Sequence, residues 1–232
     1  KTLLVIGGSG SLGKVIIQTF TQKNWFVINL DHKEIETEDE ALKLALQSTH
    51  TITHKDYSLE NFSKEIASVL QKQGTTKVDL IINSAGGFNS TVLSDENVIV
   101  NSISLLDKNL LSAVLAAHLA TKFLNNDCMI IMFGSYKVFK EGCPNILMYH
   151  TSKTALHSFC LCLKDSKELP EKTCVLTVLP EIFDTSINRK LMPLEDFSKW
   201  TDLKQTTDLI MNWVNGIGKP KSGSFVGLKN KD

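Results

Sequence analysis

The sequence predicts a doubly wound α/β domain, with a mainly parallel sheet of about seven strands flanked by helices. Short runs rich in Val, Ile and Leu alternate with longer amphipathic segments, which is the pattern of repeated β–α–β units. The runs are apolar throughout rather than at every second residue, as burial on both faces of a parallel sheet requires. The chain has 232 residues, the size of one α/β domain, and no linker or repeat divides it. We therefore treat residues 1–232 as a single domain.

Each strand is predicted where an apolar run is short, and each helix where an amphipathic stretch is longer. The predicted strands are residues 3–6, 26–30, 51–53, 78–83, 129–133, 174–179 and 224–227. The predicted helices are residues 11–22, 58–73, 105–123, 149–169 and 203–214. The stretch 184–202 shows no clear period and contains Pro193. Long segments of this kind in compact domains are usually lids or binding loops.

Composition excludes several classes of function. Lys and Arg total 25, as do Asp and Glu, so the net charge is zero and neither nucleic acid nor an anionic membrane is an expected partner. No apolar run approaches the roughly 18 residues that span a bilayer, and the first one is too short for a signal-peptide core. The five cysteines show no zinc-site spacing, so no metal is expected. Free thiols without a signal sequence indicate the cytoplasm.

A glycine-rich loop follows the first predicted strand and opens the first helix. It consists of Gly7, Gly8, Ser9, Gly10, Ser11, Leu12 and Gly13. Gly7 permits a tight turn, Gly10 a close approach of the backbone to a pyrophosphate, and Gly13 close packing of helix on strand. The phosphates would lie at the helix N-terminus, where free N–H groups and the helix dipole favour an anion. This context indicates a Rossmann-type dinucleotide site.

An acidic residue ends the second predicted strand, as a dinucleotide site requires. The carboxylate of Asp31 can accept hydrogen bonds from the ribose hydroxyls of adenosine and would repel a 2′-phosphate. This favours NADH as the cofactor, with NADPH possible but less favoured. His32 and Lys33 follow directly and could soften the preference.

A phenol and an ammonium group are four residues apart, at Tyr149 and Lys153. On a helix the two side chains lie on one face. A nearby cation favours the phenolate, so Lys153 is expected to lower the pKa of Tyr149. Tyr149 would then be a usable proton donor near neutral pH.

The order of these motifs resembles the short-chain dehydrogenase/reductase family over nearly the whole chain. The glycine loop, Asn83-Ser84-Ala85-Gly86, Asn109-Leu110 and Tyr149-x3-Lys153 carry the resemblance. It implies that Tyr149 moves the proton, that Lys153 holds the nicotinamide ribose and tunes Tyr149, and that Asn109 supports a water-linked proton relay. It also implies cofactor binding by Ala85, Gly86, Gly87 and Pro180.

Several strings are similar to one branch of this family, the dihydropteridine reductases. They are Ala85-Gly86-Gly87-Phe88, His118-Leu119-Ala120-Thr121-Lys122, Leu179-Pro180, Asp184 to Lys190, Met192-Pro193, Asp196-Phe197-Ser198, Trp200-Thr201 and Ser222-Gly223-Ser224. The resemblance implies NADH-dependent reduction of quinonoid dihydropterin to tetrahydropterin. It also implies a homodimer through the helices at 105–123 and 149–169.

Two other functions remain open at this stage. One is a short-chain reductase of another quinonoid or carbonyl compound, and the other is a non-catalytic NAD(H)-binding redox sensor. The intact set of Asn109, Tyr149 and Lys153 argues against the sensor, which needs no proton donor.

The chain departs from the family 13 residues before Tyr149, where most members have a serine that binds the substrate carbonyl. Tyr136 occupies that position, and Ser135 lies one residue earlier. Unless the Ser135 hydroxyl takes the place, the site has one donor instead of two. Dihydropteridine reductases also lack this serine, so the departure favours them. It predicts poor reduction of simple ketones, which need both donors.

Overall fold

A computed structural model describes residues 1–53 and 59–228 of the chain. The strands are β1 (Thr2–Ile6), β2 (Phe26–Asp31), β3 (Thr49–Thr53), β4 (Val78–Asn83), β5 (Leu124–Phe133), β6 (Cys174–Pro180) and β7 (Phe225–Leu228). The helices are α1 (Ser11–Gln22), α2 (Glu40–Leu46), α3 (Leu59–Lys72), α4 (Val98–Leu106), α5 (Ser112–Phe123), α6 (Tyr136–Lys140), α7 (Leu147–Leu163), α8 (Ser186–Leu191) and α9 (Leu203–Val214).

These strands form one sheet in the order β3-β2-β1-β4-β5-β6-β7, and every described pairing is parallel. The order reverses between β1 and β4. Open α/β sheets bind ligands at such a switch point, beyond the carboxyl ends of the strands. The predicted fold class, a doubly wound parallel sheet flanked by helices, is confirmed.

Helices cover both faces of the sheet, as the continuous apolar strands predict. Along β1, Leu3 and Val5 belong to one buried cluster, whereas Leu4 and Ile6 belong to the other. The first cluster lies under α1, α2 and α9, and the second under α3, α5 and α7. Every residue of β1 is buried, so no side of the strand is left for solvent.

Helices α2 and α7 differ from the prediction. Helix α2 was not predicted, because its apolar stretch is short; the side chain of Asp39 caps its first turn. Helix α7 ends at Leu163 instead of residue 169, because the carbonyls of Cys162 and Leu163 accept turn hydrogen bonds from Asp165 and Ser166. Ser58, the predicted start of the third helix, lies outside the described residues.

The predicted helix at 105–123 is part of a longer one that begins at Val98. Helices α4 and α5 join through a π-helical turn, Asp107–Leu111. By length and a mean hydropathy of 1.4, the joined helix could cross a membrane, although it contains no continuous apolar run of that length. Its second half, α5, packs against the sheet as a core helix does. Length and hydropathy are therefore weak evidence that this helix spans a membrane.

Candidate active site

The glycine loop lies between β1 and α1, at the switch point of the sheet. A Cβ at Gly7, whose φ is +84°, would lie 2.6 Å from the backbone nitrogen of Ala85. A Cβ at Gly8 would meet the Asn29 side chain at 2.2 Å, and one at Gly13 would meet the Gly7 carbonyl oxygen at 2.3 Å. These three glycines are therefore required by packing inside the protein.

Gly10 differs from the other glycines of the loop. It is exposed, and an added Cβ would meet only the Gly7 carbonyl oxygen, at an unstrained 3.4 Å. Gly10 also precedes α1 without capping it through a side chain, and the first turn of α1 contains no acidic residue. Ser11 is half-buried there, and Leu12 is buried. This surface fits a pyrophosphate, because a ligand can approach both the bare backbone and the N–H groups of the helix start.

Asp31 ends β2 beside this loop, as predicted. Its Oδ2 accepts a hydrogen bond from the Ser9 backbone N–H at 2.8 Å, and its Oδ1 accepts one from the His32 N–H at 2.7 Å. The carboxylate therefore fixes the loop as well as lying where a ribose hydroxyl could reach it. The structure thus gives Asp31 a supporting role that the sequence did not indicate.

The loop after β4 meets the glycine loop on one side and Asn109 on the other. The Asn109 amide accepts a hydrogen bond from the Gly87 N–H at 2.8 Å and donates one to the Gly87 carbonyl at 3.1 Å. A Cβ at Gly86 would lie 3.2 Å from the Asn109 Oδ1 and 3.6 Å from the Lys153 Nζ. Gly86 therefore lies between two predicted site residues. Pro180, at the carboxyl end of β6, is also buried at this edge of the sheet.

Asn109 is only 1% exposed and lies in the π-helical turn. Its Nδ2 also donates to the Ser152 hydroxyl at 2.9 Å, which ties the turn to α7. The extra residue of a π-turn often marks a functional position. Asn109 thus braces the loop after β4 against α7, and the proton relay that the family resemblance implies stays a prediction.

Tyr149 and Lys153 lie on α7, one turn apart, as predicted. The Lys153 Nζ is buried and donates a hydrogen bond to the Phe133 carbonyl at 2.8 Å. Burial lowers the pKa of Lys153 to about 8, because it penalises the ammonium. The half-buried ring of Tyr149 meets Phe88 edge to face, with the ring centres 5.0 Å apart.

The expectation that Lys153 lowers the pKa of Tyr149 is wrong in this structure. Burial raises the pKa of Tyr149, a hydrogen bond from the Ser135 side chain opposes that rise, and Lys153 is not among the groups that shift it. The ammonium is instead occupied by the Phe133 carbonyl. Tyr149 is therefore protonated at neutral pH, which a proton donor has to be.

Ser135 is the site residue that the sequence analysis left outside the predicted set. It is buried, and its side chain is close enough to the Tyr149 phenol to oppose the rise of the phenol pKa. Tyr136 points away: its ring lies 3.0 Å from where a Cβ on Gly227 would stand. Ser135, 14 positions before Tyr149, is therefore the candidate for a second donor, and the interpretation that the site has one donor stays a prediction. The expected weakness toward ketones stays a prediction too.

The comparisons with known proteins agree with this geometry. The profile of the short chain dehydrogenases matches residues 1–196. The chain belongs to the short-chain dehydrogenase family. Members of this family are oxidoreductases that bind NAD(P)H.

Relatives of this short-chain dehydrogenase span its whole length. The dihydropteridine reductase of Dictyostelium discoideum is 30% identical over 235 residues, covering 100% of this chain and 95% of that protein. A mutant short-chain dehydrogenase/reductase of Serratia marcescens has the same fold, with a TM-score of 0.79, 16% identity and coverage of 99% and 96%. BdcA, solved in complex with NADPH, matches with a TM-score of 0.77, 18% identity and coverage of 99% and 93%.

Proposed function

We propose that this short-chain dehydrogenase reduces quinonoid dihydropterin to tetrahydropterin, with NADH as the electron donor. The observation that carries the substrate is the full-length similarity to a protein named dihydropteridine reductase. The reaction class rests on the family match, and the pair of Tyr149 and Lys153 on α7 supports it. A cytoplasmic location belongs to the same proposal, since the five cysteines are free thiols.

Aromatic side chains around Tyr149 suit a planar heterocycle. Phe88 is 52% exposed, and its ring stands at 68° to that of Tyr149. A flat pterin ring could pack against the exposed face of Phe88 while the phenol oxygen of Tyr149 stays within reach of a ring nitrogen. Aromatic walls with one convergent polar group are typical of sites for such ligands.

The chemistry divides between cofactor and protein. Bound NADH supplies a hydride. Tyr149 donates the accompanying proton from its phenol oxygen, and burial keeps that oxygen protonated beforehand. The Ser135 hydroxyl would then stabilise the resulting phenolate by a hydrogen bond, and Lys153 would hold the cofactor ribose. One hydride and one proton together convert the dihydropterin to the tetrahydropterin.

The preference for NADH should depend on Asp31. We expect Asp31→Ile to weaken NADH binding about tenfold or more, since a hydrogen bond to a charged group contributes about 1.5–3 kcal/mol. Binding of NADPH should weaken less, because the repulsion between the Asp31 carboxylate and the 2′-phosphate disappears at the same time. Fluorescence titration with both nucleotides measures the ratio. Asp31→Asn is the control, because its side-chain oxygen can still accept from the Ser9 N–H. Native protein that already prefers NADPH would contradict this reading.

A homodimer through the two long helices is part of the proposal. The apolar residues on these helices divide into two sets: Leu115 and Leu163 are buried, whereas Leu111, Val114 and Leu161 are 46%, 41% and 49% exposed. One stripe therefore covers the sheet, and a second is left for a partner.

Sedimentation at micromolar concentration tests the dimer. We expect Leu161→Glu to weaken it about a hundredfold, because a symmetric interface loses two buried leucines at about 1.5 kcal/mol each. Leu44→Glu is the matched control, since Leu44 is 66% exposed on α2. A native protein that sediments as a monomer would refute the interface.

One assay tests the substrate. Oxidation of NADH is followed with chemically generated quinonoid dihydropterin and, separately, with simple ketones. Fast oxidation of NADH with the pterin, but not with the ketones, supports the proposal. The position of the Ser135 side chain beside Tyr149 favours a second candidate, a carbonyl reductase, because two donors suit a carbonyl oxygen. Rapid reduction of ketones without activity on the pterin would select that candidate.

A further inference from the structure

His157 is a buried imidazole to which the reaction described above assigns no task. It lies one helical turn after Lys153 on α7 and is 6% exposed. Its Nε2 accepts a hydrogen bond from the backbone N–H of Ser135 at 3.2 Å. Ser135 is the residue whose side chain opposes the rise in the pKa of Tyr149. The imidazole thus reaches the donor site through the backbone of one residue.

Two adjacent side chains of α7 hold the segment that carries Ser135. Lys153 donates to the Phe133 carbonyl, and His157 accepts from the Ser135 N–H. Between these two contacts, the Gly134 N–H donates to the Val178 carbonyl of β6. Helix α7, which carries Tyr149, therefore also fixes the backbone position of Ser135.

The packing around the imidazole leaves it little freedom. A Cβ at Gly134 would lie 2.3 Å from the His157 Nε2 and 2.6 Å from the Leu179 side chain, so the ring fits only against a bare backbone. Phe139 of α6 and Phe225 of β7 contact the ring, at centre distances of 5.8 and 5.6 Å. A ring so fixed can define where the Ser135 N–H lies.

We propose that His157 is a positioning residue, a neutral imidazole whose Nε2 holds the Ser135 backbone so that the serine hydroxyl stays beside the Tyr149 phenol. Because Nε2 accepts, the ring proton is on Nδ1. Burial, with the charge of Lys153, lowers the pKa of His157 to about 4, so the imidazole is neutral at the pH of an ordinary assay. The role of the serine in turnover depends on the reaction proposed above, whereas its position does not.

Two amide variants test this role. In His157→Gln the amide oxygen can reach the place of Nε2, whereas in His157→Asn the side chain is one methylene too short. Tyrosine labelled with ¹³C at Cζ reports the hydrogen bonding of each phenol, and Tyr149→Phe assigns the resonance among the three tyrosines. We expect the Tyr149 resonance of His157→Asn to move to its position in Ser135→Ala, and that of His157→Gln to stay near the native one.

Turnover of the same variants gives the second readout. A net hydrogen bond is worth about 0.5–1.5 kcal/mol, so His157→Asn should lower turnover about three- to tenfold, with Gln restoring most of it. In the Ser135→Ala background, His157→Asn should have no further effect, because the two residues act through one hydroxyl. His157→Leu serves as a second acceptor-free variant if the Asn protein does not fold.

The outcomes separate this inference from the proposed substrate. An unchanged Tyr149 resonance in folded His157→Asn and His157→Leu, or effects that multiply in the double variant, would overturn the positioning role. The expected resonance shifts in a protein without activity on dihydropterin would support the positioning role and contradict the substrate.

Discussion

Replacing Tyr149 with Phe is expected to lower turnover by about a hundredfold while leaving the affinity for NADH nearly unchanged. A general acid typically contributes about 10²–10⁴-fold, and a quinonoid acceptor is already activated, so the low end applies. The phenylalanine ring keeps the edge contact with Phe88 and loses only the phenol oxygen beside Ser135. Stopped-flow measurement of NADH oxidation and a fluorescence titration of NADH binding separate the two effects.

Tyr136→Phe is the matched control for this experiment. It removes the same oxygen from a tyrosine that packs against Gly227 instead of the site. Turnover of this variant should equal that of the native protein. If Tyr149→Phe also turns over at the native rate, Tyr149 is not the proton donor, and another group in the site supplies the proton.

The fold was predictable because it depends on patterns that are local in sequence. Apolar strands buried on both faces, such as β1 and β4, leave their mark as continuous runs of Val, Ile and Leu. Helix α2 was missed because a seven-residue helix with one buried stripe of two residues has no resolvable period. The π-turn at Asp107–Leu111 was missed because it changes the backbone hydrogen bonds without changing the apolar pattern.

The site was predictable only where its residues follow a known spacing. The glycine loop, Asn109 and the Tyr149–Lys153 pair are of this kind. Ser135 was left out because it lies 14 residues before Tyr149, whereas the spacing of the family pattern is 13. His157 and Lys153 are hydrogen-bonded to the backbone of Ser135 and Phe133, and this segment brings Ser135 beside Tyr149. Such a contact between β5 and α7 has no signature in a single sequence.

The pKa of Tyr149 illustrates the same limit. Helical spacing puts Lys153 on the same face as Tyr149, and that alone predicts a lowered pKa. Tertiary structure decides otherwise, because the Phe133 carbonyl engages the ammonium and burial penalises the phenolate. The sign of a pKa shift depends on burial, which three-dimensional packing determines.

Replacing Lys153 with Met is expected to impair cofactor binding and turnover together. The ammonium is buried 2.8 Å from the Phe133 carbonyl, and it lies 3.6 Å from where a Cβ on Gly86 would stand. Loss of a charged hydrogen bond to the ribose should raise the NADH dissociation constant about tenfold or more. Turnover should fall as well, because Lys153 also fixes the segment that carries Ser135. Lys164→Met is the control and should change neither quantity, because Lys164 follows the end of α7 and its ammonium pairs with Asp165.

The pH dependence of NADH binding gives the sharper test of Lys153. Burial lowers the pKa of this lysine to about 8, so its ammonium form predominates below that pH and is lost as the pH rises through it. Only the ammonium can donate all its hydrogen bonds to the ribose and to the Phe133 carbonyl, so NADH affinity should decline above about pH 8. In Lys153→Met the affinity should be weak and independent of pH across the same range. Calorimetry at several pH values measures both curves, and an equal decline in both proteins would assign the titrating group elsewhere.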